Sequence, residues 1–240
     1  MNERYDDIAE AHKQTFRWIY ERRELKFVDW LKAGKGIYWI TGKAGCGKST
    51  LMKLLFEDNR TLESLPKDIE NTSLSSFFFH DRGQNPLLKS QEGLYRAILY
   101  SILSEYRQLI PITLPRRWEA MRRGMLSGGS FYNPMMASWS TTELKEGFKA
   151  IASQKVLRLR LCLLIDGLDE FFGATSGYRR SIGRSIALIG PFFCPGPTLR
   201  ILSGSNSAYR VARWSSSRRR TCEIHISGSR TCRQMISKST

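Results

Sequence analysis

The chain has 240 residues, enough for one α/β domain with a sizeable core, or for one domain and a tail. No apolar run is long enough to cross a bilayer, the polar start Met1-Asn-Glu-Arg-Tyr-Asp-Asp7 has no signal-peptide core, and five irregularly spaced cysteines exclude a disulfide framework or a zinc site, so a reducing, cytoplasmic setting is expected. The net charge of +16 is unevenly spread: residues 174–240 hold 12 Lys and Arg against one acid, Glu223, whereas residues 1–173 hold 26 basic and 21 acidic residues, so nucleic acid is not the expected partner of the body.

Residues 1–33 are expected to form an N-terminal helical segment. Ile8, Phe16, Ile19 and Tyr20 fall near one helical face, and Phe27, Val28 and Leu31 continue the pattern, so residues 6–33 predict one or two amphipathic helices. Gly34 and Gly36 end the run. His12, among polar neighbours, reads as a surface or packing residue rather than a ligand.

The next stretch, Gly36-Ile-Tyr-Trp-Ile-Thr-Gly-Lys-Ala-Gly-Cys-Gly-Lys-Ser-Thr50, organises the rest. Ile37-Tyr-Trp-Ile40 predicts a buried strand and Leu51-Met-Lys-Leu-Leu-Phe56 a helix. Between them Gly42-x-x-x-x-Gly47-Lys48-Ser49 has the spacing of a phosphate-binding loop. Its glycines let the backbone curl so that successive N–H groups point into one concavity, and the positive end of the following helix faces the same way. Gly42, Lys43, Ala44, Gly45, Cys46, Gly47, Lys48, Ser49 and Thr50 are the candidate nucleotide-binding residues. Lys48 brings a point charge to the outer phosphates, and the Ser49 hydroxyl is a candidate magnesium ligand. The Cys46 thiol, at a helix start near Lys43 and Lys48, is a candidate reactive group. The plainer reading of the whole stretch is a glycine-rich turn.

A polar connection over 57–72 leads to a buried strand, Leu74-Ser-Ser-Phe-Phe-Phe79, with His80, Asp81 and Arg82 at its end. In open α/β sheets that end faces the ligand crevice, where Arg82 could meet phosphate. Residues 87–107 predict a helix with the stripe Leu94, Ile98, Leu99, Ile102 and Leu103. Pro111 and Pro115 break the chain after this helix, Arg116-Arg-Trp118 opens a polar segment, and 126–134 reads as a loop. Ser140-x-x-Glu143 is a capping box that starts a helix near Thr141. Val156-Leu-Arg-Leu-Arg-Leu-Cys-Leu-Leu-Ile165 then predicts a strand ending in Asp166-Gly-Leu-Asp-Glu170. Asp166 is the second candidate magnesium ligand, acting through water, and Asp169 or Glu170 is placed to orient or deprotonate an attacking water. The alternative is a solvated acidic turn.

Ile37 to Lys53, Phe77-Phe-Phe79, Gly93-Leu-Tyr-Arg-Ala-Ile-Leu99 and Leu163-Leu-Ile-Asp-Gly-Leu-Asp-Glu170 together resemble the NACHT-type domains of STAND NTPases, nearest to the nephrocystin-type N-terminal P-loop domain of NLR-like fungal proteins. The resemblance covers roughly residues 4–173. It implies an α/β P-loop fold over 34–173, a parallel sheet between helices with strands near 37–41, 74–79, 157–165 and 199–203. It also implies a switch driven by ATP or GTP with Mg, controlling self-assembly and signalling. Cys46 stands where the family often has serine. The family's strand ending in a Ser-Arg-Pro sensor corresponds to Thr198-Leu-Arg-Ile-Leu-Ser203, but Gly204-Ser-Asn206 comes next; without that arginine, hydrolysis is expected to be weak or absent.

Residues 174–240 hold 13 Ser and 11 Arg among 67 residues, and are expected to be a poorly ordered basic tail or an incomplete end of the domain. The expected origin is an out-of-frame or intron-derived translation, leaving the domain without its last strands and the chain truncated. Two other functional readings stay open: a basic module binding nucleic acid or an anionic surface through this tail, and a small-molecule or nucleotide kinase.

Overall fold

A computed structural model describes residues 3–8, 16–33, 36–42, 45–67, 71–126, 138–170, 199–205 and 224–227. Five strands make one sheet: β1 (Gly36–Gly42), β2 (Asn71–Phe78), β3 (Leu159–Asp166), β4 (Leu199–Ser205) and β5 (Ile224–Ser227), in the order β2-β3-β4-β1-β5. β2, β3, β4 and β1 run parallel, and β5 closes the far edge antiparallel to β1. Parallel neighbours need long crossovers, and those crossovers cover both faces with helices.

β3 shows the consequence most clearly, because all eight of its residues are buried. Side chains alternate across a strand. Leu159, Leu161, Leu163 and Ile165 enter one core, with Phe77 of β2 and helices α6 (Gln91–Glu105) and α9 (Thr141–Ser153). Cys162 and Leu164 enter the other, with Tyr38 and Ile40 of β1 and helix α4 (Lys48–Glu57). Each fully buried leucine or isoleucine contributes about 1.5–3 kcal/mol, so the sheet is held from both sides.

The N-terminal segment packs on the α4 face. Its described residues form three short α-helices, α1 (Glu3–Asp7), α2 (Trp18–Glu21) and α3 (Phe27–Ala33), where the pattern predicts one or two amphipathic helices. A buried lysine fastens it. Lys53 Nζ donates to the backbone oxygens of Tyr5 at 3.2 Å and Ile8 at 3.0 Å, and lies 4.7 Å over the Tyr5 ring. A cation on the last carbonyls of a helix is favourable, which suits α1. The Tyr38 hydroxyl donates to Leu25 O at 3.0 Å, and burial pushes its pKa up.

The supposedly polar connection after α4 holds another helix, α5 (Asn59–Ser64), because Asp58 caps it by accepting from Arg60 N at 2.9 Å. The prolines read as breakers sit instead in first turns, where a missing N–H costs nothing. Pro111 lies in α7 (Ile110–Thr113), and Pro115 starts α8 (Pro115–Leu126), which takes in the Arg116-Arg-Trp118 segment. Most of the loop read over 126–134 lies outside the described residues. Val156, read as the start of β3, is an exposed residue ahead of it.

The capping box at Ser140 is half reciprocal. Ser140 Oγ accepts from Glu143 N at 3.1 Å. The Glu143 carboxylate, however, takes the fork of Arg117 at 2.6 and 2.8 Å rather than turning back.

Residues 174–240 supply two strands to the sheet: β4, at the strand expected over 199–203, which is an inner strand, and β5, which the sequence reading did not include. Its apolar start, Leu199-Arg-Ile-Leu202, has two parallel partners to pair with. The remaining tail residues lie outside the described residues. No helix among the described residues is long and apolar enough to cross a membrane.

Candidate functional site

β1 ends at Gly42 and α4 begins at Lys48, so the glycine loop joins a strand's carboxyl end to a helix's amino end. Gly45 and Gly47 have φ of +74° and +87°, a region that L side chains rarely adopt. A Cβ on Gly45 would meet nothing within 4 Å, whereas one on Gly47 would meet the Phe16 ring at 3.3 Å. The loop is therefore open on one side and backed by the N-terminal segment on the other. Gly47 O opens the α4 ladder by accepting from Leu51 N at 2.9 Å.

Lys48 is buried, and its Nζ donates to Gly42 O at 2.9 Å and lies 3.6 Å from Cys46 Sγ. The ammonium thus spans the mouth of the loop it belongs to. Cys46 is half-buried against the α4-side core, and Ser49 and Thr50 are half-buried in the first turn of α4. Lys43 and Ala44 lie outside the described residues.

The acidic motif reaches the same end of the sheet. Asp166 is the last residue of β3 and is buried. It pairs with Gly204 of β4, and Gly204 pairs in turn with Ile40 of β1. Two strand spacings of ~4.8 Å put Asp166 about 10 Å from Ile40, two residues short of the end of β1. Gly167 has φ +69°, and a Cβ there would lie 3.1 Å from Phe79 O. Glycine at this position lets the chain turn away directly beneath the end of β2. Phe79 N donates to Asp166 O at 3.0 Å, fixing the two strand ends together.

Beyond Gly167 the chain makes a short 3₁₀ turn, Leu168–Glu170, anchored by buried Leu168. Glu170 Oε2 accepts from the backbone N of Asp81 at 3.2 Å, tying the turn to the loop after β2. The side chain of Asp169 lies outside the described residues. Arg82 is exposed in that same loop, and Lys89 Nζ holds the Asp81 carbonyl at 2.8 Å.

The structure thus gathers Gly42, Gly45 to Thr50, Asp166 and Glu170 at the carboxyl ends of β1, β4 and β3. Two contributors went unread in the sequence: the Phe16 ring behind Gly47 and the Asp81 amide on Glu170. Neither carries a local pattern, since each contact joins residues far apart in the chain. Among the described residues no group of three or more His, Cys, Asp or Glu could hold a metal. Ser49 and Asp166 could contribute to a magnesium site only together with phosphate or water oxygens.

A largely parallel sheet flanked by helices, with a glycine loop, a helix amino end, a lysine and a buried acid at its strand ends, defines an α/β protein. The family described as nephrocystin 3, N-terminal, matches residues 14–188, and the chain belongs to that family. The match continues past Gly173 into the basic stretch. The comparison with curated proteins gave no match.

Proposed function

We propose that the chain binds a nucleoside triphosphate, ATP or GTP, with Mg, on a P-loop NTPase fold, and works as a NACHT-type STAND switch whose hydrolysis is weak or absent. The carrying observation is the shared strand end: the Gly42–Thr50 loop and Asp166 are separated only by β4, and all three strands point the same way. The backbone N–H groups around Gly45 and Gly47 receive phosphate oxygens, for which the open side of Gly45 leaves room. Lys48 exchanges its contact with Gly42 O for the outer phosphates. The Ser49 hydroxyl, directly, and the Asp166 carboxylate, through water, would hold the cation. When bound, magnesium neutralises phosphate charge.

Two features support slow turnover. The Glu170 carboxylate already accepts from the Asp81 amide through Oε2, which draws it toward the loop after β2. The β4 end beside Asp166 is Ser203-Gly204-Ser205, with no arginine at the register positions facing the loop and the acid. A basic arm for nucleic acid is less well supported, since the basic stretch supplies β4 and β5 to the sheet. Self-association through this domain, a signalling role in an NLR-like protein and a cytoplasmic setting belong to the same proposal.

Calorimetric titration with Mg-ATP and Mg-GTP tests it. Lys48→Ala should weaken binding ten- to a hundredfold, about 1.5–3 kcal/mol for one charge-assisted contact, with unchanged circular dichroism. Equal affinity for parent and variant would refute the nucleotide reading.

A further inference from the structure

On the face of the sheet opposite α4, the helical layer of α6, α7 and α9 leaves a half-open cavity of about 570 Å³. That volume lies inside the range of ~300–1,000 Å³ typical of small-molecule sites. Its floor is apolar, made by Leu99, Leu103, Ile110 and Leu144. One wall is the Trp139 ring, and that wall is built rather than incidental. Arg117 is buried, lies 3.7 Å over the ring, grips Glu143 with two hydrogen bonds and donates to Ser138 O at 2.8 Å. A guanidinium with this many fixed partners holds the indole in one orientation.

The rim carries charge of one sign, from Arg96 and Arg107. Arg107 is exposed, and its guanidinium makes no hydrogen bond or ion pair among the described residues. Arg96 has only a half-exposed pair with Glu92 at 3.3 Å, an i,i+4 contact that a ligand can displace. An apolar, tryptophan-walled cavity under two guanidinium groups fits a molecule with an apolar body and one anionic head.

We propose that this cavity binds an amphipathic monocarboxylate of the fatty-acid class, its chain on the leucine floor and its carboxylate between Arg96 and Arg107. The site lies on the opposite helical layer from the glycine loop and does not depend on what that loop binds.

Decanoate, decanol and decyltrimethylammonium, titrated below their aggregation concentrations, provide the test. The expected result is saturable one-to-one binding of decanoate, at least tenfold weaker binding of decanol, and none of the cation. Arg96→Gln with Arg107→Gln, both away from the core, should weaken decanoate about tenfold and leave decanol unchanged. Leu103→Trp should fill the cavity and abolish both, while Mg-nucleotide affinity stays as in the parent. Equal affinity for decanoate and decanol, or decanoate binding that survives both the arginine pair and Leu103→Trp, would overturn the proposal. So would an acidic amphipathic peptide binding at this face when decanoate does not, which would reassign it to a protein partner.

Discussion

Gly93 lies in the first turn of α6, in one of the segments that carry the family resemblance, and replacing it with alanine sets two effects against each other. Alanine is the better helix former by about 1 kcal/mol, which alone would stabilise. The added Cβ, however, would lie 1.9 Å from the Leu87 carbonyl oxygen and 2.6 Å from its carbon, where ordinary contact begins at 3.4 Å. Both atoms are backbone, in the 3₁₀ turn Pro86–Lys89, so no side chain can swing away. That turn also holds His80 N through Leu88 O at 2.9 Å, and Ser90 caps α6 by accepting from Gly93 N at 3.1 Å. Overpacking against a well-packed site costs about 1–3 kcal/mol, and disturbing the cap adds ~1 kcal/mol. The clash therefore outweighs the propensity gain, and Gly93→Ala should destabilise by about 2 kcal/mol. With a urea slope of ~1–3 kcal/mol/M, the unfolding midpoint should fall by about 1 M. Gly124→Ala in α8 is the control: its Cβ would meet nothing within 4 Å, so the same change there should stabilise by ~0.5–1 kcal/mol. If Gly93→Ala is neutral or stabilising, the close approach of α6 to the turn is wrong.

Three further outcomes are expected. Glu170→Gln should leave Mg-nucleotide binding intact and slow any hydrolysis; if Asp169→Asn abolishes turnover while Glu170→Gln matches the parent, the two acids have been assigned in the wrong order. Bound Mg-ATP should shield Cys46, beside Lys48 in the loop, from alkylation, and equal labelling rates with and without nucleotide would count against that placement. The Arg117 guanidinium holds the Glu143 carboxyl below its ordinary value of 4.5, against an opposing effect of burial. A carboxylate whose pKa is lower folded than unfolded adds stability above the unfolded value, lost as pH falls through the folded one. Glu143→Gln should therefore narrow the difference in urea midpoint between pH 7 and pH 3, and an unchanged difference would show that the ion pair does not contribute.

The sequence determined what is local. A cluster of glycines before Lys48 specifies a tight loop because only glycine adopts left-handed backbone angles cheaply, and Gly45 and Gly47 adopt them. An apolar run broken only by Arg160 specified β3 as a strand, and Ser140 marked the start of α9 through a bond three residues long. Only the tertiary structure decided which distant pieces meet. β4 slots between β1 and β3 because parallel strands, separated by long crossovers, are ordered by which faces need covering and not by chain order. That insertion sets Asp166 about two strands from the glycine loop. In the same way Glu143 left its capping partner for Arg117, and Glu170 took the Asp81 amide. In both cases a carboxylate takes a donor that folding brings within reach, and in neither does that donor lie within a few residues of it in the chain.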